Sequence, residues 1–219
     1  GGSDPFVVLG DADVPAAARA AAAARLINSG QSCIAAKRFI VVRVVADEFI
    51  DEFVRALEAA KVGDPLDPST EVGPLAREDL LAELHQQVRK SVAEGAALRT
   101  GGRRLDRPGF FYAPTLLTGV TPEMTAAREE TFGPVAAALT VDDEEDALRA
   151  AEASYRSLFE NVPDGVYRIT PAGRFLTVNP ALVRMLGYDS AEELLTIDIA
   201  RDLFAASRTN AKSVWDVCG

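Results

Sequence analysis

At 219 residues, with apolar side chains at 48% and charged ones at 26%, the chain has the composition of a folded globular protein of one or two domains, and wholesale disorder is excluded. Its net charge of −10, from 23 basic against 33 acidic residues, repels a phosphate backbone and no local basic patch overrides it, so nucleic acid is not an expected partner. No apolar run approaches the length of a membrane span and no leader-like segment opens the chain, which leaves no membrane partner and an expected cytoplasmic location.

Pro5-Phe6-Val7-Val8-Leu9 reads as a short buried strand, and Gly10-Asp11-Ala12-Asp13 as a turn and helix cap. The alanine-rich residues 16–27 predict a helix, stopped by Asn28-Ser29-Gly30, and a loop bearing Cys33 follows directly. Residues 38–45 are β-branched enough for a strand, and residues 47–60 carry Phe49, Ile50, Phe53, Val54 and Leu57 at helical spacing. After a turn-rich loop, residues 79–94 predict an amphipathic helix with Leu80, Leu81, Leu84, Val88 and Val92 inward. Strands are expected at residues 97–100, 112–117 and 135–141, so the first region is α/β: a largely parallel open sheet with flanking helices.

A helix over residues 147–159 follows an acidic start, and beyond it the pattern changes. Residues 166–170 and 174–178 flank a Pro171-Ala172-Gly173 turn as a β-hairpin, residues 180–186 predict a short helix, and Ser190 with Glu193 caps the next. The expected domains are residues 1–152, residues 153–206, and a tail over 207–219.

Only a few residues point to chemistry. Cys33 and Cys218 lie in unlike surroundings and read as free thiols, and no metal-ligand spacing occurs. The single histidine, His85, falls mid-helix beside Gln86 and Gln87 and reads as a solvated face rather than a catalytic base. Gly30-Gln31-Ser32-Cys33 places a thiol among small residues just after a helix stop, where the sulfur can be exposed; a buried structural cysteine is the alternative on these residues alone.

The wider context bears on that choice. NSGQSCIAAKRFIV at residues 28–41 resembles the nucleophile segment of aldehyde dehydrogenases, and Ala35-Ala36-Lys37-Arg38 is similar to the succinate-semialdehyde group. The resemblance extends through KVGDPLDPSTEVGPLAR at 61–77, FFYAPTLL at 110–117 and EETFGPV at 129–135, and covers about residues 1–150. It implies that Cys33 attacks a small aldehyde substrate and donates its backbone N–H to the oxyanion, with hydride passing to NAD or NADP. It further implies that Glu130 holds the nicotinamide ribose and Phe132 packs near that ring. The family's general-base glutamate precedes the glycines matched by Gly1 and Gly2, so both it and the dinucleotide-binding domain are expected outside this chain. Where some semialdehyde dehydrogenases carry a substrate-binding arginine, six positions before the cysteine, this chain has Ile27, with Arg25 out of register.

Residues 155–195 resemble the N-terminal half of a PAS domain, a small α+β sensor and interaction module, with a further helix expected over residues 198–204. No cysteine for flavin attachment and no haem-ligand histidine lies in that stretch. Three readings stay open at this level: an aldehyde-oxidising enzyme, a PAS-type sensor or interaction module, and a hybrid fragment without autonomous activity that self-associates through unpaired strand edges.

Overall fold

The computed structural model describes residues 5–161, 164–197 and 199. The chain divides into two compact units, Gly1–Tyr155 and Arg156–Gly219. Gly1, Gly2, Cys218 and, apart from residue 199, the helix expected over residues 198–204 lie outside the described residues.

The first unit is built on a five-stranded sheet in the order β1-β2-β5-β4-β3. Its strands are β1 (Pro5–Val8), β2 (Arg38–Val42), β3 (Ala97–Thr100), β4 (Thr115–Thr118) and β5 (Val135–Val141). All neighbouring pairs run parallel except β3 against β4. The helices are α1 (Val14–Leu26), α2 (Arg43–Ala59), α3 (Glu78–Ala93), the one-turn α4 (Thr125–Arg128) and the part of α5 (Glu144–Asn161) up to Tyr155. The expected α/β architecture with a largely parallel sheet is therefore the observed one.

Both faces of the sheet are covered, as parallel strands require. In β5 the side chains alternate: Ala136 and Ala138 join the core that α1 and α2 make with Phe39, Phe49 and Phe53, whereas Val135, Ala137 and Leu139 join Leu81, Leu84 and Val88 of α3. The same period of two divides β2, whose Ile40 and Val42 turn toward Ala147 of α5.

Three local expectations are corrected. β2 stops at Val42 and α2 begins at once, because Ala46 opens the helical stripe continued by Phe49, Ile50, Phe53 and Leu57; burial of that stripe overrides the β preference of Val44 and Val45. The strand expected from Tyr112 begins only at Thr115, since Pro114 has no N–H for a ladder. Val92 of α3 is 41% exposed, its inward place taken by fully buried Ser91, whose hydroxyl donates to the Gln87 carbonyl and accepts from the Ala126 N–H.

In the second unit, β6 (Tyr167–Ile169) and β7 (Phe175–Val178) form the expected antiparallel hairpin, followed by α6 (Pro180–Leu186) and α7 (Ala191–Leu195). Phe175, Val178, Leu182, Val183, Leu194 and Ile197 make its core. Asn179, fully buried, holds the turn into α6: its Oδ1 accepts from the N–H groups of Val166 and Leu182, each at 2.9 Å, and its Nδ2 donates to the Asp164 carbonyl at 2.9 Å. An open groove of about 470 Å³ is lined by Phe159, Val178, Val183 and Tyr188 among others.

Candidate active site

The loops bearing Cys33 and Glu130 lead into the N-terminal ends of β2 and β5, which pair in parallel with Arg38 opposite Ala137. That register brings together two segments far apart in the chain.

The Cys33 loop starts from a tight reversal. Asn28, Ser29 and Gly30 at the end of the 3-10 turn all take left-handed backbone angles, with φ of 48°, 56° and 75°. Asparagine tolerates that region and glycine favours it, but serine does so at a cost. The turn is held from several sides. Asn28 Nδ2 donates to the Gln31 carbonyl at 3.1 Å, and Ser29 Oγ accepts from the Gly73 N–H at 2.8 Å. Gln31 Nε2 donates to the Pro74 carbonyl while its Oε1 accepts from the Ala76 N–H. Cys33 itself is exposed, as is Ile34 at 75%.

Beneath the loop lie three buried cations. Arg25 is fully buried, its guanidinium donating to the Gly30 carbonyl at 2.7 Å and the Val135 carbonyl at 3.3 Å. Burial pulls its pKa down to about 10 against the opposing pull of Glu130. Lys37 donates to the carbonyls of Ser32, Cys33 and Ala35 at 3.2, 3.4 and 3.4 Å and pairs with Glu130 Oε1 at 3.0 Å. Burial lowers its pKa as well, with the Glu130 carboxylate raising it and Arg25 lowering it further. Arg38 is 3% exposed, and the same carboxylate offsets its burial.

Glu130 follows α4. Gln87 of α3 donates to its backbone carbonyl at 3.2 Å, while the Glu130 side chain remains 43% exposed. Phe132, two residues on, presents 37% of its surface. The structure thus joins Cys33 and Glu130 through Lys37 and leaves Cys33, Glu130 and Phe132 all reachable from solvent.

The sequence reading missed Lys37 and Gln87, and considered Arg25 only as a substrate contact out of register. The available signal was a lysine set in an otherwise apolar run from Ile34 to Val42, broken only by Arg38. His85, expected on a solvated face, is half-buried, with Nδ1 3.0 Å from the hydroxyl of buried Tyr112. Among the described residues no cluster could hold a metal ion, and no helix is long and apolar enough to cross a membrane.

A model described as "Aldehyde dehydrogenase family" matches residues 1–162, and a PAS domain model matches residues 153–217. Succinate-semialdehyde dehydrogenase [NADP(+)] of Mycobacterium avium (strain 104) is 50% identical over 161 residues, 74% of this chain and 34% of that protein. A probable succinate-semialdehyde dehydrogenase [NADP(+)] of Synechocystis is 53% identical over 151 residues, 69% of this chain and 33% of that protein. The crystal structure of an NAD-dependent aldehyde dehydrogenase from Sinorhizobium meliloti superposes with a TM-score of 0.68 at 38% identity, covering 70% of this chain and 31% of that one. The chain spans about a third of the length of the curated relatives it matches.

Proposed function

Because the chain belongs to the aldehyde dehydrogenase family, we propose that it carries the cysteine-bearing part of an NAD(P)-dependent oxidation of an aldehyde to an acid, of the succinate-semialdehyde type. The observation that carries this reading is the exposed Cys33 thiol on a loop tied, through Lys37, to the carboxylate of Glu130. The substrate class rests on the similarity to succinate-semialdehyde dehydrogenases.

In this reading the Cys33 thiolate attacks the aldehyde carbon, and the carbonyl π pair moves to oxygen, where the Cys33 N–H receives it. The residues present fit the nicotinamide half of a dinucleotide. Glu130 has one oxygen fixed by Lys37 and a part-exposed carboxylate for ribose hydroxyls, and Phe132 has an exposed ring against which a planar group can pack. When bound, the cofactor supplies the hydride acceptor. Loss of hydride from the former carbonyl carbon leaves an acyl group on Cys33, and transfer of that group to water gives the acid.

The test uses the whole 219-residue chain with succinate semialdehyde and NADP+. Expected is NADPH formation, or at least a cofactor-dependent acyl mass on the Cys33 peptide, with both lost in Cys33→Ala. Neither signal in the unmutated chain would overturn the assignment of this activity to the chain.

For residues 156–199 we propose a sensing or interaction role, supported by the match to a PAS domain and by the groove beside α6. A small molecule that co-purifies with the chain and is lost on Val183→Arg is the expected result; its retention in that variant would count against the groove.

A further inference from the structure

We propose that Lys37 is a positioning residue for the reaction at Cys33: its buried ammonium orients the backbone N–H that receives the oxyanion and ties that loop to Glu130. The inference rests on the reading of Cys33 as the nucleophile.

The geometry begins with the peptide bond. Ser32 C=O and Cys33 N–H belong to one planar unit, and the described chain contains no cis peptide, so the two groups point in opposite directions. Lys37 Nζ, on a side chain only 2% exposed, takes the Ser32 oxygen at 3.2 Å. Drawing that oxygen inward turns the Cys33 N–H away from the buried ammonium, and Cys33 is an exposed residue of the loop. The Cys33 and Ala35 carbonyls, each at 3.4 Å from the same nitrogen, fix the planes that follow.

With three carbonyl oxygens and Glu130 Oε1 around it, the ammonium faces more acceptors than its three N–H groups can satisfy singly. It therefore acts as a compact charge inside a shell of oxygens, a task for which a planar guanidinium is the wrong shape. Glu130 supplies the neutralising charge. Its backbone carbonyl is held independently by Gln87, so the lysine is tied to α3 as well as to its own loop. Glu130, Arg25 and Cys33 are among the charged or ionisable groups near Lys37, and burial lowers its pKa in opposition to Glu130.

Two reactions of Cys33 separate positioning from mere structure. Alkylation by iodoacetamide forms an S–C bond and expels iodide, developing no oxyanion. Addition of succinate semialdehyde forms an S–C bond while the carbonyl π pair becomes an oxyanion, which then takes a proton from solvent to give the thiohemiacetal. Both are measured on the full chain across pH. Peptide mass spectrometry distinguishes alkylation of Cys33 from that of Cys218, and the carbon-13 signal of labelled aldehyde reports the adduct.

Lys37→Met is expected to weaken thiohemiacetal formation at least tenfold at a pH where its Cys33 alkylation matches wild type. Lys37→Arg should recover only part of the loss. Equal adduct affinity in Lys37→Met and wild type, at matched alkylation, overturns the inference. If Lys37→Met does not fold, Glu130→Gln carries the test. A several-fold loss of adduct with alkylation preserved supports the tie to Glu130, and no loss overturns it. Failure of the underlying reading looks different: wild-type Cys33 would then add the aldehyde no better than Cys218.

Discussion

Gly30 and Gly133 meet across the two loops that carry Cys33 and Glu130. The Gly133 N–H donates to the Gly30 carbonyl at 3.0 Å, and a Cβ placed on Gly30 would lie 2.2 Å from the Gly133 oxygen. Backbone cannot swing aside as a side-chain tip can, so the contact demands glycine at position 30. Gly30→Ala is expected to cost about 1–2 kcal/mol for the left-handed angle and about 1–3 kcal/mol more for the clash. Gly119→Ala is the control, because Gly119 has a similar positive φ with open space around its missing Cβ. Thermal unfolding of the two variants should show the larger loss at Gly30; equal losses would mean the loops part without cost.

Gln31 spans from the Cys33 loop to residues 74–76 with both ends of its amide. Gln31→Ala leaves the Ala76 N–H and the Pro74 carbonyl without that partner, a loss of about 1 kcal/mol in local stability. Hydrogen exchange at Ala76 should accelerate, while exchange in α3 stays unchanged. Acceleration spread over the whole first unit would point to global loosening instead.

His85 gives the first unit a dependence on acid. Its pKa is lowered, chiefly by burial and then by Arg89 and Arg104, so the folded state binds its proton less readily than the unfolded chain does. The contribution is fully present above the unfolded value of about 6.5 and is lost as pH falls through the lowered folded one. Melting temperature should therefore drop less between neutral and mildly acidic pH in His85→Gln than in wild type. Parallel drops would remove His85 from the account.

Asn179 in the second unit makes three side-chain hydrogen bonds from full burial. Asn179→Ala removes the cap of α6 and strands the Asp164 carbonyl and the Val166 N–H, a cost of about 2–4 kcal/mol. Limited proteolysis should then cut within residues 164–199 while residues 5–150 stay protected. An unchanged digestion pattern would show that the hairpin and α6 hold together without it.

Much of the fold could be read locally. The helical stripe of α3, the Gly173 turn between β6 and β7 and the Ser190 cap are all written within a few consecutive residues. The resemblance of the Cys33 loop to aldehyde dehydrogenases was visible in the same way, as a run of neighbouring residues. The start of α2 was misplaced because burial of Ala46, a tertiary event, outweighed the local preference of Val44 and Val45.

Spacing along the chain was enough for the alternation of strands and helices, for the change of character after the long helix, and for the likeness of the Cys33 loop to a known family. The tertiary structure alone decided that Glu130 reaches Lys37, that Arg25 lies beneath Gly30, and that His85 meets Tyr112. Those contacts follow from the pairing of β2 with β5 and the packing of α3 against β4 and β5. A buried ammonium and an exposed surface lysine are the same letter in a sequence; only the neighbours brought in by strand pairing make one of them an anchor.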